Sequence, residues 1–130
     1  MDIAICSFEV DTLKMEYAGA HNSMYIIRNN ELTEVKSDRI AMGHAMNQVF
    51  HQHSFQLEKN DILYLFTDGY ADQKGGENRM KFYYPPFKQL LLDISTLPME
   101  EQRNALYFTV KEWMKNESQI DDITVVGVKL

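Results

Sequence analysis

The first third of the chain shows the alternation of apolar and polar residues that is typical of half-buried β-strands. Residues 3–10 form an apolar run, and residues 13–17 alternate Leu, Met and Tyr with Lys and Glu. Strand-like patterns resume at residues 24–28 and 31–36, on either side of an Asn-Asn pair that accepts the positive φ of a tight hairpin turn. Small residues at 18–22 interrupt the second strand. The pattern predicts an antiparallel meander.

The central part of the chain contains one unbroken apolar run, ILYLF at residues 62–66, which has the length of a buried strand. The tripeptide TDG at residues 67–69 ends it at once. An Asp at the exit of a buried strand, followed by a Gly that lets the backbone turn, places a carboxylate on a rigid support at the rim of a sheet. Residues 38–54 are predicted to be a loop with one helical turn, and the polar residues 73–78 are predicted to be a mobile loop.

Two amphipathic helices are predicted near the C-terminus. A Pro-Pro pair at residues 85–86 suits the first turn of a helix, and a second helix opens near Pro98 with acidic residues at its start. Apolar residues at helical spacing are assigned to the core in both helices: Phe87, Leu90, Leu91 and Ile94, then Leu106, Val110, Trp113 and Met114. With the meander, these helices predict an α+β fold class with antiparallel sheets.

The last segment begins with a carboxylate pair, Asp121-Asp122, which leads directly into an apolar strand. The natural neighbour of this strand is residues 62–66, and antiparallel pairing of the two would bring Asp68 and Asp121 to a common rim. Carboxylates brought together repel unless they are protonated, paired with a base or bridged by a cation. No Lys or Arg lies within three residues of the pair, and Lys74 is six residues from Asp68. A divalent metal ion is therefore predicted between them.

Composition narrows the class of protein. The 130 residues suit one domain, and a net charge of −6 with scattered basic residues argues against nucleic-acid binding. No apolar run spans a bilayer and the N-terminus lacks a basic signal-peptide start, so we expect no membrane association and a cytoplasmic location. Cys6 is predicted to be a buried reduced thiol rather than a nucleophile. The pair His51 and His53 is assigned to a solvated strand face rather than to a zinc site.

Three motifs in order carry a family resemblance: AGAHN at residues 18–22, LFTDGYAD at residues 65–72 and, after the two helices, DDITVV at residues 121–126. Their order and spacing resemble the PPM superfamily of metal-dependent protein phosphatases, and specifically its SpoIIE-like branch of bacterial signalling phosphatases. The likeness covers essentially all 130 residues. It implies a partial PPM-type β-sandwich flanked by helices.

The resemblance also implies a mechanism and a set of site residues. These phosphatases use Mn²⁺ or Mg²⁺ in a binuclear site to activate a water that attacks phosphoserine or phosphothreonine, so that no protein nucleophile is needed. By motif, Asp68 and Asp121 correspond to metal ligands. Residues with a supporting role near the site are Gly69, Asp122, His21 and Asn22.

The chain departs from the family pattern in one respect. The family carries an earlier, glycine-rich motif whose Asp bridges both metals, and nothing before Ile3 supplies it. We therefore expect residues 1–130 to be a single partial domain that holds at most one metal ion weakly and is inactive alone. Exposed sheet edges in such a fragment favour a homodimer or strand exchange. The family further implies an upstream sensory domain and, as substrate, a phosphorylated regulatory protein such as an anti-sigma-factor antagonist.

Other interpretations of the acidic residues remain open at this point. The chain could be a catalytically degenerate phosphatase-like module that binds a phosphorylated regulator without hydrolysing it. Receiver-type domains also bind Mg²⁺ through an acidic pair, but there the pair follows the first strand of a parallel α/β sheet, whereas Asp121-Asp122 precedes the last strand. A structural protein with coincidental acidic turns is the remaining alternative.

Overall fold

The computed structural model describes residues 1–43 and 47–130, and in this part of the chain two antiparallel sheets pack face to face. The strands are β1 (Ile3–Phe8), β2 (Lys14–Ala20), β3 (Met24–Arg28), β4 (Glu31–Val35), β5 (His53–Gln56), β6 (Ile62–Phe66), β7 (Lys74–Gly75), β8 (Met80–Lys81) and β9 (Val125–Lys129). The strand order is β1-β2-β5 in the smaller sheet and β4-β3-β6-β9 in the larger one. Strands β7 and β8 form a separate short ladder.

The two hairpins of the predicted meander are present, β1 with β2 and β3 with β4, but they lie in different sheets, so these four strands do not form one continuous meander. The strand ends also differ from the prediction. Asn29 and Asn30 adopt φ of 49° and 63° and connect β3 to β4. Strand β1 ends at Phe8, two residues earlier than its apolar run. The small residues that were expected to interrupt β2 belong to the strand as far as Ala20, where it ends, and the next residue, His21, has a φ of 61°.

The larger sheet is buried on both faces, which explains the continuous apolar runs of β3 and β6. Successive side chains of a strand point to opposite faces. Met24 and Ile26 face the smaller sheet and pack with Met15, whereas Tyr25 and Ile27 belong to a second core on the opposite face. The larger sheet lies between the two cores, so β6, the strand that leads into the TDG motif, is packed on both faces.

Three helices cover the outer face of the larger sheet: α1 (Gly69–Asp72), α2 (Tyr84–Ile94) and α3 (Met99–Met114). The two long helices confirm the prediction, with proline in the first turn of α2 and acidic residues in the first turn of α3. Their buried residues belong to the core beside β6: Phe87, Leu91, Ile94, Leu106, Val110 and Met114. The α+β fold class is thus the observed one.

The prediction of a mobile loop at residues 73–78 is wrong. The segment enters the β7-β8 ladder, and its backbone is fixed against α3. The Gly76 N–H donates to the carbonyl of Trp113 at 2.8 Å, and the indole Nε1–H of Trp113 donates to the carbonyl of Gln73 at 3.0 Å. A Cβ on Gly75 would lie 2.0 Å from the Trp113 carbonyl oxygen, so glycine is required there. The polar residues of this segment suggested a loop, and the sequence pattern did not indicate its hydrogen bonds to Trp113.

The segment of residues 38–54 is irregular where it is described, and the predicted helical turn lies partly outside the described residues, at His44 and Met46. His51 precedes β5 and its Nδ1 contacts the Asp38 carboxylate at 2.7 Å, so His51 and His53 do not share a strand face. Cys6 is a free, half-buried thiol, and burial raises its pKa. No helix in residues 1–43 and 47–130 is long and apolar enough to cross a membrane.

Arg28 and Asp61 form the most buried ion pair described. Asp61 is 1% exposed and accepts hydrogen bonds from the Arg28 guanidinium, at 2.9 and 2.6 Å, and from the Glu58 N–H. Burial alone would raise the pKa of Asp61, but the hydrogen bonds and the charge of Arg28 together hold that pKa below its usual value. The pair joins the end of β3 to the start of β6.

Replacing Arg28 by Met should therefore leave a buried carboxylate with one backbone partner and lower the free energy of unfolding by about 2 kcal/mol. Because the native pKa of Asp61 is lowered, the stabilisation is present above its unfolded pKa of about 4 and is lost as the pH falls through the native value. Urea unfolding of the full-length protein at pH 7 and at pH 3 measures both effects. The control is R79M, whose pair with Glu117 is exposed and should cost less than about 1 kcal/mol.

Candidate functional site

The TDG and DDIT motifs meet where β6 and β9 end. The two strands pair antiparallel with Phe66 opposite Val125, which confirms the predicted adjacency. Beyond this pair, the Thr67 N–H donates to the Thr124 carbonyl at 3.0 Å and the Thr67 hydroxyl donates to the Asp122 carbonyl at 2.7 Å. The same hydroxyl accepts from the Thr124 N–H at 3.0 Å. Thr67 therefore joins the two motifs with three hydrogen bonds.

Gly69 is the point of closest approach between the motifs. A Cβ built on Gly69 would lie 2.3 Å from the carbonyl oxygen of Asp122 and 2.8 Å from its carbonyl carbon. Both are backbone atoms, which cannot move without disturbing the Thr67 hydrogen bonds. The glycine of TDG is thus needed for backbone contact with Asp122, in addition to its role in the turn.

Asp68 and Asp121 lie near each other on this rim. Burial, followed by the negative charges of Asp121 and Asp72, raises the pKa of Asp68 above its ordinary value. Asp68 precedes α1, and its backbone carbonyl accepts from the Asp72 N–H at 2.9 Å, but its side chain makes no capping hydrogen bond, so the carboxylate oxygens are not committed to the helix. One carboxylate oxygen of Asp121 accepts from the Asp122 N–H at 2.7 Å, which orients the side chain. Asp121 therefore lies close enough for its charge to act on Asp68.

A cation that the sequence did not reveal also lies at this rim. The Nζ of Lys81, on β8, is 2.8 Å from the Asp72 carboxylate. The hydrogen bond to Asp72 raises the pKa of Lys81, and the charge of Asp68 contributes to the same shift. No base lies close to Asp68 in the sequence, but the fold brings Lys81 to the same rim. The β7-β8 turn brings Lys81 back beside α1. The local sequence contains no pattern that predicts this contact.

His21 and Asn22 lie on the other side of Asp68. Both line a cavity of about 270 Å³ that Asp68 also lines. Their backbone is fixed: the His21 N–H donates to the Asp38 carbonyl at 2.8 Å, and the Asn22 carbonyl accepts from the hydroxyl of Tyr17. The site thus has a β9 side, with Gly69, Asp121 and Asp122, and a β3 side, with His21 and Asn22.

The donors at the rim suit a hard divalent cation in type, because Mn²⁺ and Mg²⁺ prefer carboxylate oxygens. Asp68 and Asp121 provide two such groups. Asp2 lies close enough for its charge to act on Asp68 as well. In the described part of the chain, however, no group of three or more His, Cys, Asp or Glu side chains is arranged to hold a metal ion. The arrangement is consistent with part of a metal site.

Solved structures share this fold. The SiaA-PP2C domain of Pseudomonas aeruginosa superposes with a TM-score of 0.92 at 29% identity, over 99% of this chain and 51% of that one. The SpoIIE phosphatase domain of Bacillus subtilis (Mn presoaked) gives a TM-score of 0.74 at 19% identity, over 99% and 56%. RsbX in complex with magnesium gives 0.69 at 15%, over 97% and 54%. The chain spans about half the length of these structures.

The architecture is therefore that of part of a PP2C-type phosphatase domain. The family model of SpoIIE, described as stage II sporulation protein E, matches residues 1–130. The chain belongs to the SpoIIE family. A comparison with curated protein sequences gave no significant match.

Replacing Gly69 by Ala should force the Asp122 backbone away and destabilise the full-length protein by about 2 kcal/mol, in the range for overpacked sites. The comparison is G127A, where a Cβ would lie 2.7 Å from the flexible tip of Met99 and 3.1 Å from the Tyr64 ring, with no backbone atom among its three nearest neighbours, so the loss of stability should be smaller. Thermal unfolding of both variants measures the difference. Equal melting temperatures for G69A and the wild type would contradict the close contact.

Proposed function

We propose that this chain is part of a metal-dependent protein serine/threonine phosphatase that acts in bacterial signalling. The observation that supports this most directly is the meeting of Asp68 and Asp121 at one rim, through the contacts of Thr67 and Gly69 with Asp122. Membership of the SpoIIE family and the PP2C-type fold point to the same chemistry.

In this proposal Asp68 and Asp121 bind Mn²⁺ or Mg²⁺. The related structures titled as manganese-presoaked SpoIIE and as RsbX with magnesium support this choice of ions. A bound ion of this kind lowers the pKa of a water nucleophile and offsets charge on the phosphoryl oxygens. With such an ion in place, water could hydrolyse the phosphoserine or phosphothreonine ester to inorganic phosphate and the free hydroxyl side chain, without a protein nucleophile. Two ions belong to the complete site, of which these residues hold at most one, weakly.

The remaining residues orient this site. Thr67 and Gly69 set the distance between the strand ends, and Asp122 contributes its carbonyl rather than a ligand. Lys81 holds Asp72 at the end of α1, the short helix that follows Asp68, and balances part of the negative charge there. His21 and Asn22 form the wall beside Asp68.

The biological setting follows from the same proposal. Residues 1–130 would be one partial phosphatase domain, in keeping with the half of each related structure that the chain spans. The substrate would be a phosphorylated regulatory protein such as an anti-sigma-factor antagonist, with a sensory domain upstream and a cytoplasmic location. The alternative is a degenerate module that binds such a regulator without turnover.

A homodimer or strand exchange is also proposed. In the described part of the chain β9 pairs with β6 alone, so its other edge offers unpaired backbone groups. Apolar side chains are exposed nearby, with Val126 49% exposed on β9 and Ile5 53% exposed on β1. Edge strands with such faces readily pair with another chain.

The catalytic proposal predicts that full-length protein hydrolyses a phosphoserine peptide when Mn²⁺ is added. Asp68→Asn and Asp121→Asn should each lower kcat/KM at least about a hundredfold, since loss of metal binding removes several kcal/mol of transition-state stabilisation. Asp93→Asn, an exposed carboxylate of α2, is the matched control and should retain activity.

The proposal predicts no turnover by the isolated 130 residues, because in their described part no group of three or more carboxylate, imidazole or thiol side chains is arranged to hold a metal ion. Manganese-dependent hydrolysis by the isolated chain would contradict the partial site. Binding of Mn²⁺ and of a phosphorylated regulator by the full-length protein, without hydrolysis, would favour the degenerate module instead.

The association proposal predicts a concentration-dependent dimer of the isolated 130 residues in sedimentation velocity. Replacing Val126 by Lys should shift it toward monomer, because a charge on an edge strand discourages pairing. Glu112→Lys on the exposed face of α3 serves as the control for the added charge. A clean monomer of the unmodified chain at high concentration would count against the dimer.

A further inference from the structure

The cavity beside Asp68 is lined by aromatic and charged side chains that have no role in binding a metal ion. It extends from Asp68 past the aromatic rings of Phe66 and Tyr84 to the ion pair of Lys88 with Glu34. Tyr25 and Phe66 are nearly buried, with ring centroids 4.5 Å apart, and Tyr84 is 40% exposed at the opening. Its volume of about 270 Å³ matches a short stretch of polypeptide better than a phosphate ion.

Lys88 is held in place at the far end of this cavity. Its Nζ lies 2.8 Å from a Glu34 carboxylate oxygen and 5.2 Å from the centroid of the Tyr25 ring. An ammonium group has three N–H donors, and Glu34 is the one hydrogen-bond partner of Lys88 among the described residues. The group is therefore oriented by its contacts and retains the capacity to donate to a ligand.

The sheet sets the distance between the two ends of the cavity. Asp68 follows β6, whereas Glu34 is on β4, and β3 lies between these strands. Two interstrand spacings amount to about 10 Å across the sheet, and Glu34 is level with Tyr64, four residues before Asp68, which adds about 13 Å along the strands. An extended polypeptide covers the resulting distance of about 16 Å in about five residues, whereas a single phosphoryl group does not. A ligand with its phosphate at Asp68 would thus reach Lys88 through neighbouring residues.

We infer that this cavity binds the polypeptide segment next to the phosphorylated residue of the substrate, and that Lys88 donates a hydrogen bond to an oxygen acceptor of that segment. The inference rests on the proposed phosphatase function and adds the site that selects the substrate sequence. The acceptor side chains that fit are those of Asn, Gln, Asp and Glu. The apolar walls accommodate the intervening residues, and Glu34 keeps the Lys88 ammonium at the end of the cavity.

The test uses full-length protein with Mn²⁺ and two substrates: a degenerate phosphoserine peptide library and phenyl phosphate, which carries no peptide. Lys88→Met should lower kcat/KM for the library about tenfold, the effect of losing a hydrogen bond from a charged donor, while phenyl phosphate hydrolysis stays within about twofold. The wild type should prefer peptides with an acceptor side chain about five residues from the phosphoserine, and the variant should lose that preference.

Two further variants separate Lys88 from indirect effects. Lys111→Met is the matched control, because Lys111 also lies over a tyrosine ring, 5.8 Å from the Tyr107 centroid, but does not line the cavity. The double variant Lys88→Met with Glu34→Gln removes the carboxylate left without a partner and should show the same loss of peptide preference. Phenyl phosphate turnover reports whether each variant is folded.

The outcomes distinguish this inference from the proposed function. An equal loss on both substrates, or no loss on either, overturns the role of Lys88 in peptide binding and leaves the phosphatase intact. Hydrolysis of phenyl phosphate without hydrolysis of any library peptide also overturns the inference. If the wild type hydrolyses neither substrate with Mn²⁺, the proposed function fails and the inference fails with it.

Discussion

Backbone contact between the end of β6 and the residues before β9 brings Asp68 and Asp121 to the same rim of the sheet. Thr67 contributes three hydrogen bonds and Gly69 contributes the absence of a side chain, so that the Asp122 carbonyl approaches closely. β6 is buried on both faces, so the strand that leads into Thr67 and Asp68 is packed from both sides. Asp68 and Asp121 are brought together by the packing of the core, against the repulsion between their charges.

Electrostatic balance at the rim comes from several parts of the chain. The pKa of Asp68 is raised by burial and by neighbouring carboxylates, which means that its ionised form is disfavoured without a counter-charge. Lys81 supplies part of that charge from β8. A divalent cation would supply the rest, which is consistent with the oxygen donors present. The β7-β8 ladder, fixed by Trp113, thus connects helix packing to the charge of the site.

The cavity on the β3 side extends the candidate site from Asp68 toward helix α2. Asp68 stands at one end and the Lys88–Glu34 pair at the other, with aromatic walls between them. Helix α2 contributes Tyr84 and Lys88 from its first turns, while Phe87 and Leu91 anchor the same helix in the core. One helix therefore both completes the core beside β6 and shapes the surface where a substrate polypeptide would lie.

Much of this arrangement was readable from the order of residues. Apolar runs marked β3 and β6 as buried strands, Asn29-Asn30 marked a tight turn, and helical spacing marked α2 and α3, because these signals depend on near neighbours. The motifs around Asp68 and Asp121 were also recognisable. The contacts of Lys81 and Lys88 at the site were not recognisable, and residues 73–78 were wrongly predicted to be a mobile loop. In each case the partner residues lie on segments distant in sequence. Local chemistry specified the elements, whereas long-range packing assigned their polar side chains to a common site.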